Sequence, residues 1–420
     1  MRPWQPVLSI AVLAATLLTT LLRTLRAPND WAEAHWLLDY RFGFVKRGLP
    51  GELLRRACDL FGVAVDARTI ALVGGTLLAM FALLLLAMAV AIVRAGQWRP
   101  GALAVATAFL ASPFVVMTGH LNGYFEHLFL PLGIASWWLV QRGRPWPAAL
   151  LQALALLVHE MAAVLVLPTF ALALWFAPER RGAGGLLPLA LPLVTAVLLT
   201  QVVGAPPDGF AAGYGAWLRE HAFVQGAEAA NAPLLLAMPL GDYWQLIGPK
   251  FGERMAAPGS IGLVLPTLLV LLAWLLPRLS LALLSPTALL LAAVVLLPQA
   301  MHRIAFDLER IWTFSLFTTF AACWLLRRVR DVEGTAVDTR GAAVDADADR
   351  EPRGLLPLGL LVLAANFVLE TPLLDLQFDA MPRGTRLLLL AVLAGALVAY
   401  ALAATPVAER TRWLRRSGPR

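Results

Sequence analysis

Eleven stretches of this chain are apolar and nearly free of charge over about the length of helix that crosses the hydrocarbon core of a bilayer. They read as residues 7–25, 70–93, 101–118, 125–141, 147–176, 184–204, 260–277, 280–298, 311–326, 354–370 and 386–404. Inside a bilayer every peptide N–H and C=O must bond within its own segment, so such a chain has to fold as helices. The expected class is all-α, a polytopic transmembrane helical bundle of about 11–13 membrane segments with interfacial amphipathic helices in its outer loops. At 59% hydrophobic and 15% charged residues, the sequence reads as a single transmembrane domain over 1–420 with no separate soluble domain.

Arginines in short loops set the orientation. Arg94 and Arg99, Arg142 and Arg144, Arg327, Arg328 and Arg330, and the tail from Arg410 to Arg420 all read as cytoplasmic. The first apolar run is followed at once by Arg23 and Arg26, with no small-residue cleavage pattern, so it reads as a retained signal anchor. Parity then bears on 147–176. A single crossing puts Arg180 and Arg181 outside and inverts every later basic loop. A hairpin turning at His159-Glu160 keeps all the basic clusters inside. The hairpin is the expectation, and one long helix with a buried His-Glu pair is its rival. Both termini are then cytoplasmic, and all six histidines, His35, His120, His127, His159, His221 and His302, gather on the outer face. The net charge of +7 follows largely from these loop arginines and does not call for nucleic acid. Cys58 and Cys323 fall on opposite sides, so no disulfide is expected.

Three extramembrane stretches remain. The first outer loop, 26–69, carries NDWAEAHWLLDYRFGFVKRGLPG, in which Trp31–Tyr40 can form a short amphipathic helix capped by Asn29 or Asp30. Lys46 and Arg47 follow on a glycine-rich turn and suit a phosphate, because a guanidinium can bind two of its oxygens at once. The same charges also suit a loop held by lipid headgroups. The second outer loop, 205–258, has amphipathic stretches around Tyr214–Phe223 and Tyr243–Phe251. The segment 331–353 is acidic and rich in small residues, and reads as a disordered cytoplasmic linker.

Three further constellations carry possible chemistry. In GHLNGYFEHLFLP, helical spacing places His120, Tyr124 and His127 on one face and Asn122 and Glu126 on the next, side chains suited to sugar hydroxyls. His159 and Glu160 are an ionisable pair at membrane depth, where charge is retained for function or held in a structural pair. In AMHRIAFDLERIWTF, Arg303, Asp307 and Arg310 follow i, i+4 and i+7, so two arginines around one carboxylate could clamp an anion or simply form a salt-bridged helix start. The last outer loop offers only Glu370, Asp375 and Asp379. There is no Walker P-loop, no GxGxxG and no metal-ligand spacing such as HExxH, which argues against nucleotide-driven chemistry and against a metal site.

With its long first outer loop carrying acidic residues (Asp30, Glu33, Asp39), the interfacial stretches and the polar groups on one face, the chain resembles the GT-C superfamily of integral-membrane glycosyltransferases. The resemblance is one of architecture over most of the chain. It implies transfer of a sugar from a polyprenyl-phosphate donor to a glycan, lipid or protein acceptor at the periplasmic face of a bacterial inner membrane, among membrane lipids. It also implies that a carboxylate of the first outer loop, Asp39 or Asp30, activates the acceptor. Such a donor carries its own leaving group, so the chemistry needs a base and cations for the departing phosphate. Lys46, Arg47, Arg303 and Arg310 are the expected phosphate-binding residues. His120, Asn122, Glu126, His159, Glu160 and Asp307 are the expected substrate-binding residues. No cofactor is called for, and a divalent cation is compatible with the carboxylates. The alternatives are a surface-polysaccharide polymerase or ligase of O-antigen type, and a lipid or solute transporter or flippase.

Overall fold

The computed structural model describes residues 2–177, 182–201, 206–221, 223, 226–279, 284–305, 307–327, 354–372 and 381–404. The expected linker 331–353, Arg180, Arg181, Arg328, Arg330, Asp375, Asp379 and the tail from Arg410 lie outside the described residues. Among the described residues the chain is helical, with no strand. The helices are α1 Trp4–Leu22, α2 Asp30–Leu37, α3 Gly48–Phe61, α4 Ala67–Ala95, α5 Pro100–Leu110, α6 Pro113–His120 and α7 Glu126–Gln141. They continue with α8 Pro145–Val158, α9 Ala162–Leu165, α10 Leu167–Trp175, α11 Ala190–Gln201, α12 Phe210–Glu220, α13 Ala227–Ala237 and α14 Leu240–Ile247. The last six are α15 Phe251–Met255, α16 Pro258–Leu275, α17 Pro286–Leu296, α18 Leu308–Leu326, α19 Leu355–Val368 and α20 Arg383–Ala404.

Local chemistry sets many of the starts. Asn29 caps α2 by accepting from Ala32 N–H, Asp66 caps α4 through Thr69 N–H, and Ser285 caps α17 through Ala288 N–H. Proline occupies the first turn of α5, α6, α8, α10, α16 and α17, where its missing N–H has no partner to lose.

Five helical stretches are long and apolar enough to cross a membrane: Trp4–Leu22, Ala67–Ala95, Pro100–His120, Gly259–Arg278 and Arg383–Ala404. Pro100–His120 is wholly buried and forms the central column. α1, α4, α16, α19 and α20 pack on α5, and α1 and α18 pack on α6. Small residues let these backbones approach: a side chain on Gly359 of α19 would meet Ala104 of α5 at 2.7 Å. Phe109 and Phe320 stack at 3.7 Å across the α5–α18 contact. The outer surface is apolar, with Leu18, Leu72, Leu83, Leu361, Val392 and Leu402 exposed. That is the composition of a surface that meets lipid tails rather than water.

The region 147–176 is a broken hairpin. α8 runs antiparallel to α7, with Gln152 Nε2 donating to Ser136 Oγ at 2.5 Å. The helix stops at His159, whose backbone is extended (φ −161°, ψ 130°). The chain then returns through α9 and α10 along α7 and α17, until Trp175 Nε1 reaches Thr287 Oγ1 at 3.1 Å, far from the turn.

The described residues of 26–69 and 205–258 pack into one cap. α2, α12 and α13 share a small core of Ala34, Leu37, Leu38, Val45, Phe210, Tyr214, Leu218, Ala229, Ala232 and Leu236. Tyr214 Oη donates to the Ala34 carbonyl inside it. The expected amphipathic helix at Trp31–Tyr40 is therefore corrected: α2 ends at Leu37 and is buried from Ala32 to Leu37, because the second loop covers its other face. α3 and α14 do carry apolar faces to the surface, with Leu53, Leu60 and Phe61 on the first and Leu240, Trp244 and Leu246 on the second.

Candidate functional site

The charged residues converge where this cap meets the turn of the broken hairpin. Arg47 lies just before α3 in a left-handed conformation (φ 63°), which costs a residue with a side chain about 1–2 kcal/mol. That backbone aims its guanidinium at the hairpin turn. Nε donates to both oxygens of Glu160 at 3.0 Å, and Nη2 bonds Oε1. Nη1 contacts His35 Nε2 at 3.1 Å.

A guanidinium has no acceptor, so His35 Nε2 must accept. The ring proton is then on Nδ1, which donates to the Trp31 carbonyl at 2.8 Å. Burial, reinforced by the Arg47 charge, holds His35 down at about 3, so it is neutral. Lys46 donates to the Met238 carbonyl at 3.0 Å and lies 5.5 Å from the Tyr243 ring. Burial lowers its ammonium from the usual range, opposed by Glu160.

Arg310 is the bundle's counterpart. It projects from the first turn of α18, with Nη1 donating to Asp307 Oδ2 at 2.7 Å and Nη2 paired with Glu126 at the start of α7. Its guanidinium lies 5.3 Å from the Tyr124 ring centre and 5.9 Å from that of Phe314. Nη2 is also 3.5 Å from Met161 Sδ. Met161 is the neighbour of Glu160, so the hairpin turn touches both guanidiniums. Its backbone N–H donates to His159 Nδ1 at 3.1 Å, which holds the His159 ring in the turn beside Phe129. Glu126 and His127 line a cavity with room for about one water, closed by Phe114, Thr118, Thr313 and Phe314.

Of the residues singled out in the sequence, Lys46, Arg47, Glu126, His159, Glu160, Asp307 and Arg310 are brought together. Others are not. The spacing expected across His120–His127 is corrected, because no helix runs through it. α6 ends at His120, Gly123 adopts φ 88°, and α7 starts at Glu126. A side chain on Gly123 would meet Pro28 at 2.8 Å, so glycine lets this turn dock on the first loop. Asn122 and His120 serve that docking: Asn122 Nδ2 donates to the Arg26 carbonyl at 2.9 Å, and Arg26 Nε donates to the His120 carbonyl at 3.0 Å.

The expected Arg303–Asp307–Arg310 helix face is also corrected. α18 begins only at Leu308, and Arg303 ends a 3-10 turn, 4.6 Å from the Trp244 ring centre and 4.7 Å from that of Phe251. Asp39 and Asp30 stand apart from both guanidiniums in the cap. Asp39 is 3% exposed, starts the turn at Tyr40–Phe42 and is engaged by Arg41 and Arg55. Asp30 accepts from Ala229 N–H at 3.3 Å and so joins α2 to α13. Arg55 and Arg56 are matched by Glu52 and Asp59 along α3.

Sequence reading left His35, Met161 and Tyr243 out of the site. The one local signal for His35 was its presence on the same loop as Arg47. No group of three or more His, Cys, Asp or Glu among the described residues is placed to hold a metal ion. Cys58 and Cys323 are both free and buried. Compared with known protein families, curated proteins and solved structures, the chain matches none.

Proposed function

We propose that this chain is a membrane glycosyltransferase that takes a sugar from a polyprenyl-phosphate donor, with its site between the cap and the hairpin turn. The observation that carries the reading is the convergence of two guanidiniums, the half-buried Arg47 from the cap and the buried Arg310 from the bundle, on one end of an apolar helical assembly. Buried, forked cations beside a lipid-compatible surface fit a lipid phosphate better than a soluble anion. The architectural resemblance to GT-C glycosyltransferases supports the same reading. In this scheme the protein is a multi-pass bundle of a bacterial inner membrane, with both termini cytoplasmic and the cap periplasmic.

The acceptor oxygen attacks the anomeric carbon, the bond from that carbon to the phosphate oxygen breaks, and the phosphate leaves with the electron pair. Arg47, Arg310 and Lys46 stabilise the charge that develops on it. A base takes the acceptor proton, and Asp307 is the carboxylate suited to that role. Its side chain is 36% exposed, against 3% for Asp39, and only Oδ2 is engaged by Arg310. Asp307 therefore replaces Asp39 and Asp30 as the proposed base. His35 is a positioning residue, fixing Arg47 without adding charge.

The test is reconstitution in proteoliposomes with a panel of polyprenyl-phosphate sugars, following release of the polyprenyl phosphate. Wild type should consume at least one donor, and Asp307→Asn should lower the rate by about 10²–10⁴-fold. A wild-type protein that consumes none of them, and binds a prenyl phosphate no better than the matching alcohol, overturns the reading.

A further inference from the structure

Arg47 and Glu160 form a pair whose two halves are held very differently. Arg47 is anchored from the protein side, by the left-handed backbone ahead of α3 and by His35 at 3.1 Å. Its side chain is 17% exposed. Glu160, 37% exposed, is the more open half of the pair. It lies in the turn between α8 and α9, where one backbone bond, from Ala163 N–H to its carbonyl at 3.0 Å, holds it, rather than inside a helix. Both its oxygens are bound to the guanidinium, side-on through Nε and Nη2. A phosphate engages the same fork in the same geometry, because two of its oxygens span the distance a carboxylate's do. While Glu160 is there, that face of Arg47 is closed to a phosphate.

Carboxylates and basic groups also balance in this cluster. Lys46, Arg47 and Arg310 face Glu126, Glu160 and Asp307. A site that bound its anion by standing positive charge would leave buried cations without partners when empty, which is costly. Glu160 removes that cost in the resting state. When displaced it has a second cation at hand, since Lys46 already interacts with it electrostatically.

We propose that Glu160 is an internal stand-in for the substrate phosphate: its carboxylate occupies the fork of Arg47 until the phosphate of a prenyl-chain lipid displaces it. This rests on the phosphate-lipid reading above and adds a residue that sets affinity by competition. Glu160 then lowers affinity for the phosphate in exchange for keeping Arg47 buried and aligned.

Equilibrium binding of farnesyl phosphate and of farnesol to the full-length protein in nanodiscs tests it. Wild type should prefer the phosphate, and Arg47→Gln should weaken the phosphate at least tenfold while leaving farnesol unchanged. Glu160→Gln should bind the phosphate at least tenfold more tightly than wild type. Glu160→Asp, which keeps the charge but shortens the reach, should shift the same way by less, and it guards against a folding defect in the glutamine variant. If the phosphate preference is present and lost in Arg47→Gln, yet both Glu160 variants bind no more tightly than wild type, the stand-in role is overturned and the phosphate reading survives. If neither wild type nor Glu160→Gln distinguishes phosphate from alcohol, the phosphate reading fails and the stand-in role falls with it.

Discussion

His35 and Glu126 show how single side chains in this cluster are set by their partners. His35 is pressed toward about 3 in the folded protein and returns to about 6.5 when exposed by unfolding. The unfolded chain therefore takes up its proton first as pH falls, and stability should drop as pH goes below about 6.5. Glu33, two residues away, titrates in the opposite sense. Burial and Asp30 raise it to about 7, so it gains stability over its window as pH falls. The difference between wild type and His35→Gln isolates the histidine: thermal unfolding from pH 7 to pH 5 should show a smaller loss for the variant. Glu126 and Asp307 separate structure from chemistry at Arg310. Glu126 is buried against the guanidinium, so Glu126→Gln should destabilise by about 3–5 kcal/mol, read by thermal unfolding. Asp307 is partly exposed, so Asp307→Asn should change stability by about 1 kcal/mol or less while lowering the rate of the proposed transfer. Equal effects of the two on stability would show that Asp307 is only a structural partner of Arg310.

The broken hairpin is the element that delivers Glu160 and Met161 to the two guanidiniums, and its position depends on close packing below the turn. Gly133 of α7 lies directly under Val166, and a methyl group added to Gly133 would overlap the valine side chain. Gly133→Ala should push α9 away from α7, cost about 1–3 kcal/mol and loosen the Arg47–Glu160 pair. Adding Val166→Ala should restore both, a coupling that unfolding of the single and double variants measures directly. This hairpin was legible in sequence because the ionisable pair His159-Glu160 interrupts an apolar run too long for one crossing. The start of α2 was legible to within one residue, as a cap at Asn29 or Asp30, because N-capping is a local hydrogen bond, and the structure uses Asn29. The stretches 120–127 and 303–310 were misread because both contain plausible helical spacing. A left-handed Gly123 breaks the first, and a helix start at Leu308 breaks the second, and spacing carries no information about either.

The whole assembly should have the cap and the hairpin turn on one side of the membrane and the α7–α8 connection on the other. Glu126 pairs with Arg310 at one end of α7 and α18, and Gln141 donates to the Leu325 carbonyl at the other. Single cysteines at Ala64, between α3 and α4, and at Arg144, before α8, should react with a membrane-impermeant thiol reagent from opposite sides, Ala64→Cys from the periplasm. Labelling of both from one side would end the proposed topology. The lengths of the apolar runs point to helices, because a helical span needs about 20 residues and bonds its backbone within one segment, whereas a barrel strand needs only about 10. Loop charge and the ionisable break give the expected orientation and the turn. Which charges meet is a different matter. Arg47 finds Glu160 and His35, Arg310 finds Glu126, and the two loops close over α2 through contacts far apart along the chain. An ion pair depends on distance in space, which residue order does not encode locally, so only the packed helices could decide that Asp39 is tied up by Arg41 and Arg55 in the cap while Asp307 pairs with Arg310.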